Sequence, residues 1–363
     1  MLTSACGGGD NTLPQQLKIR LQSYDGRCGL EPLPTGEMAL LEPTGKHCVG
    51  KMRLRLAAGT STQMNEPQLP LTLWHPALPQ SRAKRASYLD PTLPGQIPAA
   101  IEGPMRAQLE GALRIKTHSL ADAPPELAQS WPVILFSPGF GVNVDQYSSL
   151  LEELASHGFV VVGIDHPLIS AAVAAEDGSV ILAADLAGSQ AEQLGRVSLL
   201  HEGMVRNQAR VLDWLESANT SHFGRRLSLQ KIALAGHSIG GSAALQGGRQ
   251  DPRVKTSVIM DGMVWGETRH PWPHPVLVML SGDPAHPTLK EVATLNPADK
   301  TVHVVLGAGH NDFSDYKRLI QASPLPVSPQ EAEQQLSLGT ADHAALMARM
   351  RLLLLQHVKQ QLP

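Results

Sequence analysis

From residue 131 onward, short continuous apolar runs alternate with stretches of helical periodicity. This is the pattern of strands buried on both faces and joined by crossover helices. The runs occupy residues 133–136, 160–164, 231–235, 254–260, 276–280 and 302–306. Between the first two, Tyr147, Leu150, Leu151 and Leu154 share one helical face that stops at His157-Gly158. Val205, Ala209, Leu212 and Leu215 predict a second helix, and Leu346, Met350 and Leu353 a last one. Six strands with intervening helices predict an α/β chain, a doubly wound and mostly parallel central sheet with helices on both faces. Two earlier runs, 52–56 and 69–74, read as the first strands. Residues 75–130 are Pro-rich with an amphipathic piece at 99–109, and read as covering material. The expected organisation is an N-terminal tether and irregular extension over 1–50, then one domain over 51–363 with an insertion near 167–200.

Composition narrows the class. A chain of 363 residues with 42% hydrophobic content can bury a large core, and its formal charge of -3 arises from 30 basic and 33 acidic residues without long runs of either sign. No nucleic-acid partner is implied. No uninterrupted apolar stretch of about 18 residues predicts a spanning helix. No cluster with metal-ligand spacing is visible, so neither metal nor cofactor is expected, and nothing points to a protein partner. Of the three cysteines, Cys6 follows Ser4-Ala5 as at the end of a bacterial lipoprotein signal, although the basic and apolar regions of such a signal are missing. That reading expects an exported chain, in the periplasm or cell envelope, associated with a membrane surface through a lipidated Cys6. An ordinary flexible N-terminus and a cytoplasmic location are the alternative. Cys28 and Cys48 enclose a Pro/Gly-rich segment and can bridge if the chain is exported; two separate thiols are the other possibility.

The strongest local signal is Gly236-His237-Ser238-Ile239-Gly240-Gly241, set directly after the run at 231–235 and before small residues. A strand, a sharp turn and a helix in that order form a nucleophile elbow with Ser238 at its tip. An ordinary glycine-rich turn is the plainer alternative. An elbow serine needs donors for a developing oxyanion. The N–H of Ile239 is the expected first donor. The N–H of Phe140, in Ser137-Pro138-Gly139-Phe140-Gly141 after an early strand, is the second.

The general base should be a histidine on a late loop. His310, in Gly309-His310-Asn311-Asp312-Phe313 beyond the last run, fits that place. His286 is its competitor; His303 lies within a strand, and His157, His166 and His237 come too early in the chain order. Two strand-end carboxylates, Asp261 and Asp283, compete to orient the histidine, and fold logic alone hardly separates them.

These blocks, with Ile259-Met260-Asp261-Gly262 and Leu154-Ala155-Ser156-His157-Gly158-Phe159, resemble the platelet-activating factor acetylhydrolase family, over roughly residues 50–320. The resemblance implies the α/β-hydrolase fold and a triad of Ser238, Asp261 and His310, with Asp261 preferred over Asp283. It places the oxyanion amides on Phe140 and Ile239. It implies a serine carboxylic ester hydrolase working through an acyl-enzyme on short-acyl phospholipids or related lipid esters. Pro138 departs from the histidine many members carry in that loop, and the Ser-Pro-Gly-Phe-Gly run is also similar to cutinase-like and polyester-cleaving esterases. An acyltransferase and an inactive binding module are further alternatives.

Overall fold

The computed structural model describes residues 23–58, 67–93, 110–175, 177–264, 271–282, 286–293, 300–322 and 328–363. Cys6, the amphipathic piece at 99–109 and Asp283 lie outside the described residues.

Among them, ten strands form one sheet. They are β1 (Cys48–Leu56), β2 (Leu69–Ala77), β3 (Arg85–Ser87), β4 (Lys116–Ala121), β5 (Trp131–Ser137), β6 (Val160–Ile164), β9 (Leu227–His237), β10 (Val254–Met260), β11 (Val276–Ser281) and β12 (Lys300–Val305). Their order is β12-β11-β10-β9-β5-β6-β2-β1-β4-β3. The six strands from β12 to β6 run parallel, and β2 joins them antiparallel. A separate hairpin pairs β7 (Ala172–Ala174) with β8 (Val180–Leu182) inside the expected insertion.

Period-2 alternation distributes the core over both faces. Ile134 and Phe136 of β5 point to one face, where they meet Leu150, Leu151 and Leu154 of α1 (Ser148–Ser156) and Met350 and Leu354 of α4 (His343–Gln361). Val133 and Leu135 point to the other, against Val211, Leu212 and Leu215 of α2 (Gln190–Ser221) and Ala244 of α3 (Ile239–Gln250). Full burial of each such aliphatic side chain contributes about 1.5–3 kcal/mol. Local signals set the helix ends. Ser189 and Glu192 form a capping box at the start of α2, and Gly158, at φ +95°, follows the end of α1.

Three expectations need correction. Residues 75–130 are more than cover, because β3 and β4 extend the sheet. The sequence Lys-Thr-His-Ser-Leu-Ala of β4 hid this, since polar Thr117, His118 and Ser119 are buried there. The Glu152 carboxylate accepts from the His118 N–H and the Ser119 hydroxyl, which makes that burial tolerable. In α2 the buried stripe runs through Met204, Gln208, Val211 and Leu215, and Ala209 is exposed. Finally, β12 ends at Val305, and Leu306, 77% exposed, lies outside the sheet.

Cys28 and Cys48 form a disulfide with a Cα–Cα distance of 5.5 Å, tying the segment before β1 to the sheet. No helix among the described residues is long and apolar enough to cross a membrane.

Candidate active site

The site assembles where parallel strands end. After β9 the chain turns sharply at Ser238, which has φ 54° and ψ −126° although it is not glycine, and α3 begins at the next residue. The Ser238 N–H donates to the Met260 carbonyl at 2.8 Å, holding the strained turn against the end of β10. Gly240 has no alternative, because a Cβ there would lie 2.3 Å from the Ser137 carbonyl oxygen. The elbow and the loop after β5 are therefore in backbone contact. At Gly139 a Cβ would come within 3.3 Å of the Ser238 Cβ.

Two backbone donors border this junction. Ile239 opens α3, and a first-turn N–H has no intrahelical acceptor. In the loop after β5, Gly139 N–H donates to the Tyr147 hydroxyl and Gly141 N–H to the Ile169 carbonyl. Between them, the Phe140 N–H has no partner among the described residues. Both side chains pack against Ile169, Met204, Val205 and Ala243.

Asp261 follows β10 with φ 48°, and its side chain is almost fully buried, 2% exposed. His310 Nδ1 donates to its Oδ2 at 2.7 Å, so Nε2 carries the free lone pair. The imidazole is 38% exposed, open to a reactant. His286 approaches the other oxygen, Nε2 to Oδ1 at 3.3 Å, while its Nδ1 accepts from the Thr288 N–H. The Ser281 N–H donates to the same Oδ1. Burial alone would raise the Asp261 pKa; donation from His286, His310 and Ser281 outweighs it and holds the carboxyl far below the usual carboxylate range. These donors favour the charged form of Asp261.

Of the predicted site residues, the structure brings together Ser238, Ile239, Phe140, Asp261 and His310. His286 is beside them, on the carboxylate. His303 is half-buried within β12. Sequence reasoning missed Tyr147 and His237. Tyr147 reads as one more apolar position on a helix face, and His237 as a histidine too early in the chain order to be the base. Yet the His237 and His310 rings lie 4.6 Å apart, and His237 Nε2 donates to the His310 carbonyl at 2.9 Å.

Asp25, Glu42 and His118 are the group within common ligand reach among the described residues. Its donors are engaged: Asp25 pairs with Arg85 and His118, and His118 Nε2 bonds the Leu40 carbonyl.

The chain matches the family described as platelet-activating factor acetylhydrolase, isoform II, over residues 106–179 and 192–325, more than half of its length. The unmatched internal stretch is narrower than 167–200, and the match starts well after residue 50. A probable 1-alkyl-2-acetylglycerophosphocholine esterase of Arthroderma benhamiae is 29% identical over 205 residues, 53% of this chain and 50% of that protein. The platelet-activating factor acetylhydrolase of Cavia porcellus is 27% identical over 230 residues, covering 56% and 52%. The chain thus spans about half the length of the curated relatives it matches. Among solved structures, a ferulic acid esterase from Streptomyces cinnamoneus superposes with a TM-score of 0.74 at 24% identity, over 90% of this chain and 94% of that one. That likeness carries the α/β-hydrolase fold.

Proposed function

Since the chain belongs to the platelet-activating factor acetylhydrolase, isoform II family, we propose that it is a serine ester hydrolase acting on short-acyl phospholipids or related lipid esters. The observation that carries this reading is the His310 to Asp261 hydrogen bond of 2.7 Å beside a strained elbow serine. Ser238 Oγ attacks the ester carbonyl carbon as its proton passes to His310 Nε2. The N–H groups of Phe140 and Ile239 hold the oxyanion. The imidazolium, stabilised by Asp261, then protonates the departing alkoxide, which leaves as an alcohol. Water, deprotonated by the same nitrogen, attacks the acyl-serine, and Ser238 recovers its proton as the acid leaves.

The lipid preference draws support from the insertion. A cleft of about 270 Å³ is lined by Ile169, Leu200 and Met204, which pack against Phe140 and Ile239, and by Leu168 and Leu199. Leu168 and Leu199 stay 48% and 67% exposed, an apolar rim suited to acyl or alkyl chains. The disulfide supports an exported location, where a lipidated Cys6 would hold the domain near a bilayer; intact mass of natively expressed protein tests both.

The substrate is tested by an acyl-length series on aryl esters and on phospholipids with a short second acyl chain. Turnover of the short-acyl phospholipid, falling as that chain lengthens, is expected. Aryl-ester turnover without phospholipid turnover would leave a general, cutinase-like esterase. Product partition toward an added alcohol would mark an acyltransferase.

A further inference from the structure

Three loops meet at the site: the one after β5 that presents Phe140, the elbow after β9, and the segment beyond β12 that carries His310. Separate strands deliver them, so their mutual positions need connections beyond the sheet. We propose that Tyr147 and His237 are positioning residues that lock these three loops together through one directional hydrogen-bond chain; the proposal rests on the ester-hydrolase reading of Ser238.

The chain has three links. The Gly139 N–H donates to Tyr147 Oη at 3.0 Å, the Tyr147 hydroxyl meets His237 Nδ1 at 2.8 Å, and His237 Nε2 meets the His310 carbonyl at 2.9 Å. Its direction follows from the ends. A carbonyl only accepts, so Nε2 of His237 carries the proton. A neutral imidazole protonated there accepts at Nδ1, so the tyrosine hydroxyl donates. That hydroxyl's oxygen is then free to accept from Gly139.

Each member has little freedom. Tyr147 is fully buried and His237 is 1% exposed. The His237 ring stacks on Phe313, with centroids 6.0 Å apart and planes at 17°, and Tyr147 lies against Phe136 with centroids 4.8 Å apart. A Cβ at Gly139 would fall 2.9 Å from His237 Nδ1, so the loop approaches as closely as backbone allows. Burial, with a further contribution from His310 when that ring is protonated, pushes the His237 pKa down to about 3. His237 therefore stays neutral when its neighbour becomes an imidazolium. The two ends of the chain matter most. Gly139 precedes the proposed oxyanion donor Phe140, and the His310 carbonyl belongs to the proposed base itself. Displacement of such groups by about 1 Å can cost on the order of 100-fold in rate.

The test begins with Tyr147→Phe, which keeps the ring and removes the hydroxyl. The expected result is a kcat at least about 10-fold lower, with KM within about twofold, because alignment is needed mainly in the transition state. A kcat within twofold of wild type overturns the proposal. His237→Gln, which can keep a donor toward the His310 carbonyl, should retain at least about fivefold more kcat than His237→Leu; equal rates overturn it. Nitrogen-15 NMR of the wild-type protein at pH 7 needs no variant to fold, and should show His237 as the neutral Nε2–H tautomer. An Nδ1–H tautomer overturns the proposal. Fluorophosphonate labelling separates the two claims. A wild type that is not labelled at Ser238 overturns the hydrolase reading and the proposal with it. A labelled, active wild type with an unaffected Tyr147→Phe overturns the proposal alone.

Discussion

On the parallel side of the sheet, β9 and β10 lead into Ser238 and Asp261, both at positive φ, and β12 leads toward His310. The charge there is one carboxylate with two histidines around it. On the side of β1–β4 the buried charged groups include ion pairs. Lys51 and Arg53 hold Asp145 at 2.9 and 3.0 Å, and Arg85 and His118 hold Asp25 at 2.7 and 2.8 Å, with the disulfide alongside. Both sides hide charged groups in apolar surroundings, but to different ends. In the ion pairs the charged groups are spent on one another and on nearby protein oxygens. At the site, the His310 Nε2 and the Phe140 and Ile239 N–H groups are left over, which is the condition for acting on a substrate.

If that contrast is right, substitutions on the two sides separate into losses of rate and losses of stability. The largest effect is expected for Ser238→Ala, which should abolish fluorophosphonate labelling and lower kcat at least about 10³-fold at unchanged stability. Labelling that survives would move the nucleophile elsewhere. Next, His310→Ala should approach the same loss. His286→Ala, which removes only a helper of the carboxylate, should cost roughly 10-fold or less. A larger effect from His286 would exchange their roles.

On the other side, Asp25→Asn should leave kcat within about twofold while costing about 3 kcal/mol in urea unfolding, since Arg85 and His118 lose a buried partner. This variant also has a pH signature. Burial works to raise the Asp25 pKa, but its bonds to His118 and Arg85 lower it below the model-peptide carboxylate value. Its stabilisation is therefore present above that unfolded value and is lost as pH falls through the folded one. The acid limb of wild-type unfolding should be shallower in Asp25→Asn; an identical limb would show that the pair contributes nothing. A loss of comparable size, about 2–4 kcal/mol of stability with no change in kcat at 25 °C, is expected for a Cys28→Ser, Cys48→Ser double variant. Loss of kcat in either N-terminal variant would erase the division between the two sides.

Much of this was readable along the chain because the signals are local. Continuous apolar runs located the parallel strands, and glycines around Ser238 marked the elbow, because a strained turn in backbone contact with a neighbouring loop excludes a Cβ. Chain order placed His310. By contrast, β4 escaped notice because Thr117, His118 and Ser119 are polar, and Glu152 from α1, Asp25 from near the N-terminus and the Leu40 and Ala86 carbonyls make their burial favourable. The stripe on α2 was misjudged at Gln208, whose amide donates to Ser137 across 71 residues.

The amino-acid order by itself determined the class of sheet, the position of the strained elbow at Ser238 and the set of candidate histidines and carboxylates, since these depend on residue type and short-range periodicity. Only the tertiary structure decided that Cys28 bonds Cys48, that His286 supports Asp261 from the side opposite His310, and that Tyr147 and His237 bridge three loops. Each of those facts is a distance of a few ångströms between residues far apart in the chain. Hydrogen bonds and ion pairs depend on such distances, while periodicity records only which face of an element is buried.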